Sequence, residues 1–192
     1  MKRLAYATGL LCLLLLQMAW AYPFPHDDQW SSYETQHFNI YFTPETRQVA
    51  DRAYDLVEPI FRKVTTFFGY VPQDKVDLVL THVGDSPNGY ADFFYQLIAI
   101  QVAPIPTSML GPFREDALDN LITHELTHIV QMNMNSTPPL AYSLLKRLSS
   151  KGYLYPHYIL EGQAVYAEKL FSNGGRLYNS SFNEQMMAFA KY

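Results

Sequence analysis

Apolar residues recur with two different periods along the chain, and the change between them marks strands and helices. Phe38, Ile40 and Phe42 alternate with Asn39 and Tyr41, which predicts a first strand opening at His37. From there the spacing lengthens. Val49, Ala53, Leu56, Val57, Ile60, Val64 and Phe67 keep a helical period, with N-cap and N1 chemistry at Thr43-Pro44 and a stop at Gly69. This long helix should cover one face of a sheet. Pro59 removes a backbone donor in its middle and is expected to kink or divide it. Over 75–83, Val76, Leu78 and Leu80 alternate with Asp77 and Val79, a buried strand. Asp85-Ser86-Pro87-Asn88-Gly89 reads as a turn, and Leu97-Ile98-Ala99-Ile100-Gln101-Val102 as a further strand ended by Pro104 and Pro106.

The second half of the chain is helical in pattern. Gly111-Pro112 opens a helix with Glu115 and Asp116 in its first turn, where the dipole favours acids. Its apolar residues, Leu118, Leu121, Ile122, Leu126, Ile129 and Val130, spread over more than one face, so it should be buried. Asn120 within it either packs or bonds locally. The polar and proline-rich 135–139 ends this helix, and a short connecting helix is expected over 140–148. An aromatic-rich lead, Tyr153-Leu154-Tyr155-Pro156-His157-Tyr158, enters another helix. The last segment, 182–192, is amphipathic through Met186, Met187 and Phe189 and has no C-cap, so the domain is expected to extend beyond Tyr192.

The N-terminus changes this picture. Met1-Lys2-Arg3, the apolar run of Leu10 to Leu16 and Ala19-Trp20-Ala21 together form a basic region, an apolar core and a small-residue cleavage site. Residues 1–21 are therefore expected to be a secretory signal peptide, too short in its apolar part to remain as a membrane span. The mature protein should be exported, to the periplasm or beyond the cell. Residues 22–37 are proline-rich and polar at their start and read as an extended lead-in. The only cysteine, Cys12, lies in the segment to be removed, so no disulfide or cysteine-ligated metal is expected. Loss of Lys2 and Arg3 leaves 12 of the 14 basic residues against 18 acidic ones and moves the net charge from -4 to -6. With no basic stripe, a nucleic-acid partner is not expected. The apolar content of 48% against 17% charged residues fits a globular core rather than a disordered chain.

The candidate chemistry lies in Thr123-His124-Glu125-Leu126-Thr127-His128-Ile129. Two histidines four apart share one helix face, so both imidazoles can reach one ion about 2 Å away. Glu125 stands beside that pair, where it can take a proton from an attacking water. A further ligand is needed. Glu161 on the later helix can supply it, and His157, four residues earlier, has equal reach by spacing alone. Glu168 lies two turns beyond Glu161 on the same face, where it either accepts the other ring N–H of a ligating histidine or faces solvent. A donor for the oxyanion is also required, and spacing does not choose among Tyr153, Tyr155 and Tyr158.

The pairing of His124-Glu125-Leu126-Thr127-His128 with Glu161-Gly162-Gln163-Ala164-Val165-Tyr166-Ala167-Glu168 resembles the gluzincin metallopeptidases. In particular it is similar to the bacterial peptidase MA-like domains, whose third-ligand helix reads aromatic-x-x-Glu-Gly-x-Ala-x-Tyr-x-Glu. The likeness spans 38–168, and the two helix motifs are its specific part. It implies zinc ligands at His124, His128 and Glu161, a general base at Glu125 and the motif aromatic at Tyr158. It further implies an α+β fold over 38–192, a thermolysin/aminopeptidase-like zincin domain with a small mixed β-sheet followed by a helical half. In that family the sheet edge beside the zinc helix takes substrate backbone as an added strand, a role that falls here on 89–102, against the alternative of an ordinary hairpin packed in the sheet. Such domains often continue into a β-propeller, so the resemblance leaves room for a C-terminal partner domain. The expected activity is zinc-dependent hydrolysis of peptides or proteins. The competing expectation is a catalytically inactive zincin-like domain that binds a partner in the cell envelope.

Overall fold

The computed structural model describes residues 29–83, 88–92, 95–102, 117–134, 157–172 and 174–178. The expectations for the signal peptide, the turn at 85–87, the helix start at 111–116, the helix at 140–148, Tyr153, Tyr155 and the helix at 182–192 fall outside these residues. What remains is a mixed α+β arrangement of a five-stranded sheet and three α-helices.

The strands are β1 (Ser31–Glu34), β2 (Phe38–Phe42), β3 (Val76–Thr81), β4 (Asn88–Asp92) and β5 (Leu97–Gln101), in the spatial order β1-β2-β3-β5-β4. Both edge strands run antiparallel to their neighbours, whereas β2, β3 and β5 are parallel. Parallel neighbours need a crossover, and helix α1 (Arg47–Phe68) makes the one from β2 to β3. The buried set of the central strands, Phe38, Ile40, Val76, Leu78, Leu80, Ile98 and Ile100, faces Ala53, Val57, Ile60 and Val64 of α1 in one core. Helix α2 (Ala117–Asn133) joins the same core through Ile122, Leu126, Ile129 and Val130 and lies against β4 and β5. Helix α3 (His157–Phe171) packs on α2, with Ala164 and Ala167 fully buried between them. Among the described residues no helix is long and apolar enough to cross a membrane.

The structure refines three sequence expectations. First, part of the extended lead-in is paired, since Ser31–Glu34 forms the edge strand β1. A ladder asks only for backbone N–H and C=O groups, so Ser-Ser-Tyr-Glu carries little apolar signal. One side chain anchors it: Tyr33 packs on Phe42 at 4.5 Å between ring centres and donates its hydroxyl to Asp51 Oδ1 at 2.7 Å. Second, α1 passes through Pro59 undivided. Pro59 is exposed, so the Asp55 carbonyl that loses its helical partner can bond water while Val57 and Ile60 keep the buried face continuous. Third, Asn88 and Gly89 belong to strand β4 rather than to a turn, and the segment expected at the sheet edge divides into an edge strand, β4, and an internal one, β5. The predicted ends of α1 do agree, with Pro44–Thr46 as a 3-10 first turn and Gly69 left-handed at φ 65°.

Residue His37 is structural. Its backbone N–H and ring Nδ1 bond the two oxygens of Glu58 at 2.8 and 2.7 Å, the Thr35 hydroxyl donates to Glu58 Oε1 at 2.7 Å, and the ring stacks on Phe61. One carboxylate on α1 therefore ties down the β1–β2 turn. Burial alone would lift the Glu58 carboxyl, but the His37 ring, the Thr35 hydroxyl and the His37 amide hold it below its ordinary 4.5. A carboxyl that titrates lower in the folded chain contributes stability fully above about pH 4.5 and loses it as the pH falls through its folded value. Glu58→Gln should cost about 1–3 kcal/mol at pH 7, since it weakens bonds to a charged acceptor. Thermal unfolding at a series of pH values checks this: the gap between the two proteins should narrow below pH 4.5, and a constant gap would show that the charge of Glu58 is not what matters.

Candidate metal centre

Helix α2 brings His124 and His128 onto one face, one turn apart, with their rings edge to face at 4.7 Å between centres. Glu161 on α3 meets them from across the helix pair. The His124 Nε2 and His128 Nε2 atoms stand 3.1 Å apart, and the Glu161 oxygens lie 3.3 and 3.5 Å from them. Two donors each about 2.0–2.2 Å from one tetrahedral ion stand roughly 3.3 Å from each other. The spacing therefore fits a single shared ion, and His124, His128 and Glu161 form a group that could hold a metal.

The opposite ring nitrogens strengthen that reading. His124 Nδ1 lies 2.7 Å from Glu168 Oε1. Burial alone would raise the Glu168 carboxyl, but the bonds from His124 and Arg176 and the charge of Arg176 hold it below its usual value, so it is an ionised acceptor. The proton of a neutral His124 ring must then sit on Nδ1. His128 Nδ1 faces Gln131 Oε1 at 3.1 Å, while Gln131 Nε2 donates to the Leu160 carbonyl at 3.2 Å and to Gln163 Oε1 at 2.8 Å. The amide orientation fixes Gln131 Oε1 as acceptor, so His128 also carries its proton on Nδ1. Both Nε2 lone pairs then point at each other and at a carboxylate. Three electron-pair donors at this distance repel unless a proton or a metal ion lies among them.

Glu168 is itself held in place. Arg176 donates to it through Nη2 at 2.7 Å, Nε at 3.3 Å and its backbone N–H at 3.1 Å. Arg176 Nη2 is also 2.7 Å from His124 Nδ1. A guanidinium only donates and the Nδ1 proton is committed to Glu168, so these are two donors sharing one carboxylate oxygen. Gly175, at φ +102°, turns the chain so that the Arg176 amide reaches Glu168; a Cβ there would lie 2.9 Å from Glu168 Cβ. The Ser172 hydroxyl links the end of α3 to Asn120 of α2, which takes Asn120 beyond the local bond or simple packing expected of it.

Glu125 is buried beside the group and is not one of the three clustered donors. Burial pushes its carboxyl up to about 7; His124 opposes the rise and Glu161 adds to it. His124, Glu125 and Glu168 are buried, whereas the Glu161 side chain is 37% exposed.

The structure thus brings together four of the five residues singled out in sequence, and the fifth, Glu168, behind His124. Of the alternatives, the side chain of His157 lies outside the described residues, and Tyr158 is largely exposed at the start of α3. Gln131 and Arg176 escaped sequence reasoning. Gln131 had a readable signal, three residues after His128 on the same helix face; Arg176 had none, since only the chain reversal after α3 brings it back. No model of a known protein family matches the chain, and no curated protein does.

Replacing Glu168 with Gln should weaken metal binding about 10- to 100-fold, because the partner that fixes the His124 tautomer loses its charge. Removal of either histidine should abolish binding. Competition with a chromophoric chelator measures both, and unchanged affinity in Glu168→Gln would show that Glu168 does not set the ring.

Proposed function

We propose that this protein is an exported zinc-dependent peptidase of the gluzincin kind, with a zincin-like domain built on the α+β arrangement described above. The observation that carries this reading is the convergence of His124, His128 and Glu161 donors within 3.1 to 3.5 Å, with the Glu125 carboxyl buried at their side. Two imidazoles and one carboxylate match the donor set of catalytic zinc, and three protein ligands leave a position for a reactant. When bound, the ion supplies the positive charge that acidifies water and polarises a carbonyl.

The chain's own residues do the rest. Glu125 accepts the proton of the attacking water as the new C–O bond forms at the peptide carbonyl. It then delivers that proton to the amide nitrogen as the C–N bond breaks, giving a carboxylic acid and an amine. Burial raises the Glu125 carboxyl, and a cation held by the ligand group would draw it back down toward the ionised form that accepts a proton. Glu168 and Gln131 hold the two imidazoles in the tautomers that ligation needs. Strand β4, the last strand of the sheet among the described residues and packed beside α2, is where the gluzincin resemblance would have an extended peptide align. Export rests on the signal-like residues 1–21.

The test uses the full-length protein and its Glu125→Gln variant. Zinc content and folding should persist, while hydrolysis of an unfolded protein substrate falls by at least about 10²-fold and disappears for both under a chelator. If Glu125→Gln cleaves as fast as the unmodified protein, Glu125 is not the base. If both hold zinc and neither cleaves, the domain is a binding module.

A further inference from the structure

Gly89 sits inside β4, where glycine is a poor choice: it weakens a strand and presents nothing to pack. Backbone conformation does not demand it, since the positive-φ glycines among the described residues are Gly69 and Gly175. The space beside it does. A Cβ built on Gly89 would lie 2.8 Å from Glu125 Cγ and 2.9 Å from Glu125 Cδ, and closer still to Glu125 Oε1. Three atoms of the carboxyl end thus occupy the place of a side chain, at separations real Cβ atoms do not tolerate. The clashing atoms are the far end of the Glu125 side chain, which can swing where the β4 backbone cannot, so a Cβ at position 89 would displace the carboxylate rather than the strand.

We propose that Gly89 is a positioning residue: the missing side chain forms the seat that holds the Glu125 carboxylate against the edge strand, aimed at the ligand group. Any larger residue at this position drives the carboxylate off β4. The inference deepens the peptidase reading and rests on it for its catalytic meaning, but its structural content stands on the packing alone. It also makes β4 more than a rail for substrate, since the strand that would align a peptide is the one that places the proton acceptor.

The experiment uses the full chain with Gly89→Ala, Glu125→Ala and the two combined. Gly89→Ala should retain bound zinc and KM while kcat falls about 10²-fold or more, as for a displaced general base. A merely structural glycine would give the same loss in any background. Here Gly89→Ala should add little to the loss already caused by Glu125→Ala, which removes all three atoms from the seat. A crystal structure of Gly89→Ala gives a readout independent of activity: the Glu125 carboxylate should have moved away from β4. An unmoved carboxylate, or equal kcat losses in the two backgrounds, overturns the proposal. If neither form hydrolyses peptides, the peptidase reading fails while the carboxylate's position still decides this one. Should Gly89→Ala not fold, Gly89→Ala/Glu125→Ala must fold, since the clash is then gone; failure of both also overturns it.

Discussion

Burial of His124, Glu125 and Glu168 around helix α2 sets the conditions for the rest of the site. Each of these groups would cost several kcal/mol in a dry interface without partners. Glu168 meets the requirement with the His124 ring and three donors from Arg176, and His124 meets it with Glu168 on one side and the ligand cluster on the other. Glu125 is the member left least compensated, which is why its carboxyl is pushed up to about 7 while that of Glu168, in the same interface, is pulled down. Two carboxylates close together are driven apart in proton affinity by the donors each one has.

The remainder of the fold keeps those helices in register. The parallel centre of the sheet buries Phe38, Ile40, Leu78, Leu80, Ile98 and Ile100 against α1, and α2 extends that core so that its histidines project from its far side toward α3. A ligand group divided between two helices is only as well placed as their packing. The small Ala164 and Ala167 at the contact, the Gln131 bonds to Leu160 and Gln163, and the Ser172 link to Asn120 all join α2 to α3 at levels above and below Glu161. Lys63 Nζ adds a bond from α1 to the Phe171 carbonyl at 2.9 Å, which fixes the end of α3 to the first helix.

Much of this was legible in the sequence where the determinants are local. Residues four apart on a helix share a face in any protein, so His124 and His128 could be paired from spacing, as could Glu161 with Glu168. The alternations of β2, β3 and β5 and the caps of α1 are equally local. Strand β1 was not legible, because an exposed edge ladder needs no apolar pattern, and Pro59 misled because a broken hydrogen bond matters less where the freed carbonyl meets water. Arg176 and Gly89 required knowledge of which distant segments touch. Gly89 in particular looked like turn chemistry after Pro87-Asn88, and only its position beside Glu125 explains it. The motif glycine Gly162 remains without such a reason: a methyl there would meet no atom within 4 Å among the described residues.

The uneven exposure of the ligand group bears on which kind of metal site this chain is built for. A purely structural ion is normally enclosed by four protein donors, because enclosure maximises the folding energy it contributes. Among the described residues the cluster has three, and the two carboxylates nearest to it are otherwise occupied, Glu168 with His124 and Arg176, Glu125 with its seat at Gly89. The most exposed ligand, Glu161, is also the one contributed by the second helix, whereas His124 is buried. Buried at His124 and exposed at Glu161, the group has an uneven setting that supports the proposed peptidase over a metal staple between two helices.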